Sequence, residues 1–190
     1  MDKNLTEEEK RTLLTLARQA LEKAVLTGDL EPLDLVSLPA ILQKPGASFV
    51  TLTRKGELRG CIGALEPGLA LAEDVRQHAA AAALQDYRFA PVRLEELPLI
   101  EIEISRLTLP KPLPYQNAED LLNKINPGID GVTISDGFRR ATFLPQVWDK
   151  IPDKAEFLSH LCMKMGVPAE TWKHKMLHVQ VYQVEEFHEK

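Results

Sequence analysis

The chain has 190 residues, 44% hydrophobic and 27% charged, a composition that excludes collagen-like and largely disordered proteins. Its 23 Lys and Arg against 28 Asp and Glu leave a net charge of −5, which argues against non-specific nucleic-acid binding as its main task. Two cysteines are too few for a disulfide scaffold, and the charged N-terminus and lack of a long apolar run predict no signal segment and no membrane span, hence a cytoplasmic protein with reduced thiols.

Thr6 and Glu9 form a capping-box signature. Leu13, Leu14, Leu16, Ala17, Ala20, Leu21, Ala24 and Val25 then recur at helical spacing, and Gly28 is a natural stop. Asp29 to Gly46 holds three prolines and reads as a connection with one helical turn around Ala40 to Gln43. Phe49 to Arg54 and Glu57 to Ile62 read as a hairpin around Lys55-Gly56. After Pro67-Gly68 an alanine-rich helix is expected from about Leu69 to Leu84. Leu99 to Leu107 alternates, with Ile100, Ile102 and Ile104 opposed to Glu101, Glu103 and Ser105, as in a half-buried strand. Pro110, Pro112 and Pro114 make a stiff link, and Asn117 caps a short helix to about Ile125. Gly131 to Ser135 and Phe138 to Leu144 form a second hairpin, for which Asp136-Gly137 predicts a type I′ turn. A helix from about Asp153 to Met165 and a strand from about Leu177 to Val184 complete the chain. The order is helix, hairpin, helix, strand, twice over. It predicts one α+β domain over 1–190, mostly antiparallel with flanking helices, built as two lobes.

The densest group of chemically capable residues is Leu58-Arg59-Gly60-Cys61-Ile62-Gly63. Glycine weakens a strand, so Gly60 and Gly63 imply a bulge or the close approach of a ligand or a second backbone. A two-residue turn would set Val50 opposite Cys61 and Leu52 opposite Arg59, with Arg59 and Cys61 on one sheet face. On the functional reading Arg59 favours the thiolate of Cys61 and binds an anionic substrate, while backbone around Gly60 and Gly63 holds that substrate. On the structural reading Cys61 is an inert thiol and Arg59 sits in a salt bridge. Asp86 and Arg88, just past the alanine-rich helix, either complete a polar pocket with Arg59 and Cys61 or form an ion pair that fixes the turn.

This hexapeptide resembles the signature of the AMMECR domain family, whose bacterial and archaeal members belong to the AmmeMemoRadiSam system. Phe49-Val-Thr-Leu52, Ala79 to Ala83 with Asp86-Tyr-Arg-Phe89, Ile102-Glu-Ile-Ser105, Phe143-Leu-Pro-Gln-Val147 and Leu161 to Gly166 with Trp172 extend the resemblance over most of the chain. Tyr87 stands where the family has Pro, and Met165 where it has Ala. The resemblance implies an α+β fold with two unequal lobes and the hexapeptide near a cleft between them. It also implies a Memo-like protein and a radical-SAM protein as partners, in a modification or redox pathway. It implies no particular reaction or cofactor.

The remaining candidates read as bland. His160 and Cys162 point about 200° apart on a helix and cannot grip one metal, and His174 and His178 lack the glutamate of a metalloprotease motif. His78 could serve Cys61 as a base if it faces the sheet, and otherwise lies on a helix surface. Arg139-Arg140 reads as an anion contact or a solvated pair, and Trp148 and Trp172 as core or lobe-interface residues.

Overall fold

The computed structural model describes residues 4–189. In chain order the elements are α1 (Glu7–Thr27), β1 (Pro45–Arg54), β2 (Glu57–Gly63), β3 (Leu69–Ala70), α2 (Leu71–Leu84), β4 (Ile100–Leu107), β5 (Lys111–Pro112), α3 (Ala118–Lys124), β6 (Gly131–Asp136), β7 (Arg139–Phe143), α4 (Lys154–Lys164), α5 (Thr171–His174), β8 (His178–Tyr182) and β9 (Val184–His188). Short 3-10 turns cover Leu35–Ser37, Leu94–Leu99 and Pro145–Asp149. The fold is α+β with antiparallel strand pairing.

Two compact units divide the chain, one running to Leu107 and rejoined from Glu185, the other Thr108–Val184. In the first, α1 begins on the Thr6 and Glu9 capping box and ends on Gly28, whose φ of 80° a side chain would strain. Its stripe of Leu13, Ala17 and Leu21 is fully buried on α2, and α2 lies on β1 and β2. The sheet order is β2-β1-β4-β9, so β2 is an edge strand. Val50, Leu52, Ile102 and Ile104 point from this sheet into the helices, each worth about 1.5–3 kcal/mol on burial. The second unit orders its strands β5-β8-β6-β7 around a core in which Trp148 stacks on Phe157 at 3.6 Å. Trp148 Nε1 donates to Asp130 O at 2.8 Å, which satisfies the indole inside that core.

Several sequence expectations need correction. Leu69 and Ala70 pair with Pro45 and Gly46 as β3 instead of opening the helix. The expected final strand is two: β8 stops at Tyr182, and β9 leaves for the first sheet. Part of the proline-rich link, Lys111-Pro112, pairs with β8. The type I′ turn expected at the second hairpin is found at the first. Lys55 and Gly56 both have positive φ, 55° and 78°, as a type I′ turn requires. At the second turn only Gly137 does, at 59°, so Gly137-Phe138 forms a type II′ arrangement. The left-handed position falls on glycine, and the phenylalanine escapes the strain it would meet there.

Candidate functional site

The hexapeptide occupies the end of β2, and its register differs from the simple two-residue hairpin. Thr51 stands opposite Cys61 and Val50 opposite Ile62; Leu52 pairs with Gly60 and Thr53 with Leu58. Arg59 is therefore the extra residue of a β-bulge. A bulge re-aims the side chain it carries, and Arg59 is bound by Glu96. Arg59 Nε and Nη2 donate to the two Glu96 oxygens at 2.9 and 3.0 Å, and Nη2 reaches Pro91 O at 3.3 Å. Glu96 also accepts from Arg54 Nη1 at 2.8 Å and from Arg93 N at 3.0 Å. These bonds, led by that from Arg59, hold the Glu96 carboxyl at about 2, well below its ordinary 4.5, and Glu96 in turn raises Arg59. Arg59 thus takes the salt-bridge role, its Nε–Nη2 edge occupied by Glu96 and its side chain only 13% exposed.

The segment from Asp86 to Glu96 runs along the free edge of β2. Asp86 Oδ2 accepts the Cys61 N–H at 2.8 Å, and Arg88 Nη2 donates to the Cys61 carbonyl at 3.2 Å. The two side chains pair with each other, Nε to Oδ1 at 2.9 Å and Nη2 to Oδ2 at 2.6 Å. An edge strand exposes backbone groups that need partners. Here a carboxylate and a guanidinium supply both partners for one residue, Cys61. The Arg88 bonds hold the buried Asp86 carboxyl far below the usual carboxylate range and push Arg88 up. Arg88 remains 45% exposed along its side chain, and its Nη1 stays out of the pair. Tyr87 between them is 94% exposed, so the position that differs from the family Pro makes no packing demand.

The Cys61 thiol lies on the sheet face away from α2, beside Thr51, whose Oγ1 donates to Sγ at 3.4 Å. Gly60 faces the other way. A Cβ there would land 3.1 Å from the Ala82 carbonyl carbon and closer still to its oxygen. The approaching backbone is therefore helix α2. A Cβ at Gly63 would overlap the Phe49 ring and the Ser48 carbonyl oxygen. Both glycines have packing reasons.

His78 is placed across the sheet from the thiol. Its Nδ1 lies 3.2 Å from Asp74 Oδ2, which also accepts from Ser48 Oγ at 2.6 Å, so of the two readings for His78 the base for Cys61 is not the one seen: the ring joins a link between α2 and β1. Glu96 and Thr51 were not legible as site residues. The one sequence signal for Glu96 is its place three residues after Arg93, where it caps the Leu94–Leu99 turn. Cys162 is fully buried, and burial raises its thiol. In native protein iodoacetamide is expected to alkylate Cys61 and spare Cys162 until unfolding; peptide mapping that finds both labelled alike would contradict these placements.

The AMMECR1 family profile matches residues 14–187. The chain belongs to this family. Relatives of this AMMECR1 protein include a Methanothermobacter thermautotrophicus protein 38% identical over 190 residues, covering 97% of this chain and 96% of its own. A Methanocaldococcus jannaschii protein is 36% identical over 192 residues, covering 97% and 92%. The crystal structure of an uncharacterized Pyrococcus horikoshii protein is similar with a TM-score of 0.80 at 34% identity, covering 98% of this chain and 94% of that one. Among the described residues no helix is long and apolar enough to cross a membrane.

Proposed function

We propose that this AMMECR1 protein is a thiol-based enzyme component in which Cys61 Sγ is the reacting atom and Arg88 is the cation that meets a small anionic substrate. The observation that carries this reading is the clip on Cys61. The buried Asp86 and the exposed Arg88 take both free backbone groups of this one residue while its thiol stays partly exposed beside a hydroxyl donor. Fixed backbone and one available sulfur are what nucleophilic attack needs. In the step, a sulfur electron pair forms the bond to an electrophilic carbon. The bond from that carbon to its leaving group breaks with its pair going to the leaving group, and the thiol proton passes to solvent. By family resemblance the reaction belongs to a modification pathway shared with a Memo-like and a radical-SAM protein.

A second reading, a non-catalytic adaptor or ligand-binding module using the same residues, is favoured by the completeness of the Arg59 and Glu96 pair. Two alkylating probes of one reactive group separate the readings. Iodoacetate carries a carboxylate and iodoacetamide does not. Relative to a free thiol such as glutathione, Cys61 is expected to prefer iodoacetate about fivefold, the scale of one partly exposed charge contact. Arg88→Gln is expected to remove the preference. A ratio equal to that of glutathione in both proteins would overturn the thiol reading and leave the adaptor.

A further inference from the structure

Independently of the thiol site, the second unit carries an aromatic side chain that the fold does not use. Phe138 at the β6–β7 tip is fully exposed. The two-residue turn needs the positive φ of Gly137 but asks nothing of the side chain that follows. Among the described residues the Phe138 ring has no aromatic or cation partner.

Hydrogen bonds tie this hairpin to two segments that carry further exposed apolar side chains. Arg139 Nη1 donates to Gly166 O at 2.9 Å, which sets the hairpin against the end of α4, where Met163 and Lys164 are exposed. Lys164 Nζ reaches Thr142 O on β7 at 2.9 Å. Lys175 Nζ holds Asp136 Oδ2 at 2.7 Å, and the residue after it, Met176, is exposed. The tip and the segments bonded to it thus carry a protruding ring, two exposed thioethers and the cations Arg139, Lys164 and Lys175, the last paired with Asp136. Aromatic, Met and Arg side chains are the types enriched at the centre of protein interfaces.

We infer that this hairpin tip is a knob that docks into an apolar, carboxylate-rimmed pocket of a partner protein. A phosphate polyanion or an anionic membrane is gripped by many cations releasing counterions. Here Lys175 is already on Asp136 and Arg139 on a carbonyl, and the whole chain carries −5. The remaining positive field is local and complements an acidic rim, while the ring supplies the buried anchor.

The test uses the full-length protein with p-benzoyl-phenylalanine at position 138, irradiated in lysate of the cells that encode it, with the crosslinked peptide sequenced. One protein is expected, linked within a segment rich in Asp and Glu. The same photoprobe at the exposed Val36 of the first unit should not capture it. Capture is expected to fall about tenfold between about 50 and about 500 mM NaCl, as screening of a local charge contact requires. It should fall similarly with Arg139→Glu/Lys164→Glu; Arg139→Gln/Lys164→Gln keeps the test readable if charge reversal impairs folding. Phe138→Ser should weaken binding to the purified target about tenfold or more and leave the thermal midpoint of the free protein unchanged. Crosslinks to nucleic acid, lipid or a second copy would overturn the inference. So would the absence of any crosslink, scattered targets without a common acidic segment, or capture indifferent to salt and to these substitutions.

Discussion

A methyl group added at position 60 is expected to lower stability by about 3 kcal/mol or more, at the upper end of overpacking costs. The neighbour it meets is the main chain of α2 at Ala82, not the end of a flexible side chain. Relief would require α2 or β2 to move as a whole. Such a movement would disturb Ala79, Ala82 and Val75, all buried between helix and sheet. The alanines of α2 and the glycine of β2 are small for one reason: helix and strand backbones touch. Urea unfolding of Gly60→Ala followed by circular dichroism measures the loss, and a loss below about 1 kcal/mol would show that the contact yields more easily than close packing allows.

Replacing Glu96 with Gln has the second-largest expected effect, a loss of about 2 kcal/mol at neutral pH. The carboxylate accepts four hydrogen bonds, two from Arg59 and one each from Arg54 and Arg93 N. A carboxamide offers one oxygen and turns an NH2 toward cations. Arg59, with a side chain only 13% exposed, cannot regain full hydration. The pH dependence follows from the sign of the shift. The folded carboxyl sits at about 2, below its ordinary 4.5. Its stabilisation is therefore complete above the ordinary value and is lost as pH falls through the folded one. The stability gap between wild type and Glu96→Gln should be widest at neutral pH and narrow steadily below about pH 4.5. A gap that stays constant down to about pH 2 would mean that the carboxylate charge is not what holds Arg59.

Local chemistry made much of the fold readable from the sequence. The Thr6 and Glu9 box, the alternation around Ile102 and the Asn117 cap each act within a few residues, and each appears where its side chains place it. What stayed hidden depends on contacts far apart in the chain. The bulge at Arg59 requires Gly60 to seat on Ala82 and Glu96 to receive the displaced guanidinium, 22 and 37 residues away in sequence. The split between β8 and β9 reflects the pairing of β9 with the first sheet, which the run from His178 to His188 does not announce. For the site, the sequence drew attention to Arg59, Cys61, Asp86 and Arg88, and the structure joins Cys61, Asp86 and Arg88 through direct hydrogen bonds. It could not tell which arginine builds and which stays available, because that choice rests on where Glu96 lies.

That division of labour between the arginines is most directly tested by the double substitution Arg59→Met/Glu96→Leu, which replaces the ion pair with apolar groups and can be nearly neutral for stability. In a folded double variant, with circular dichroism and urea midpoint as controls, Cys61 is expected to keep its preference for iodoacetate over iodoacetamide, while Arg88→Gln loses it. A well-folded double variant in which the preference disappears would mean that Arg59, despite its bond to Glu96, is the cation the thiol works with.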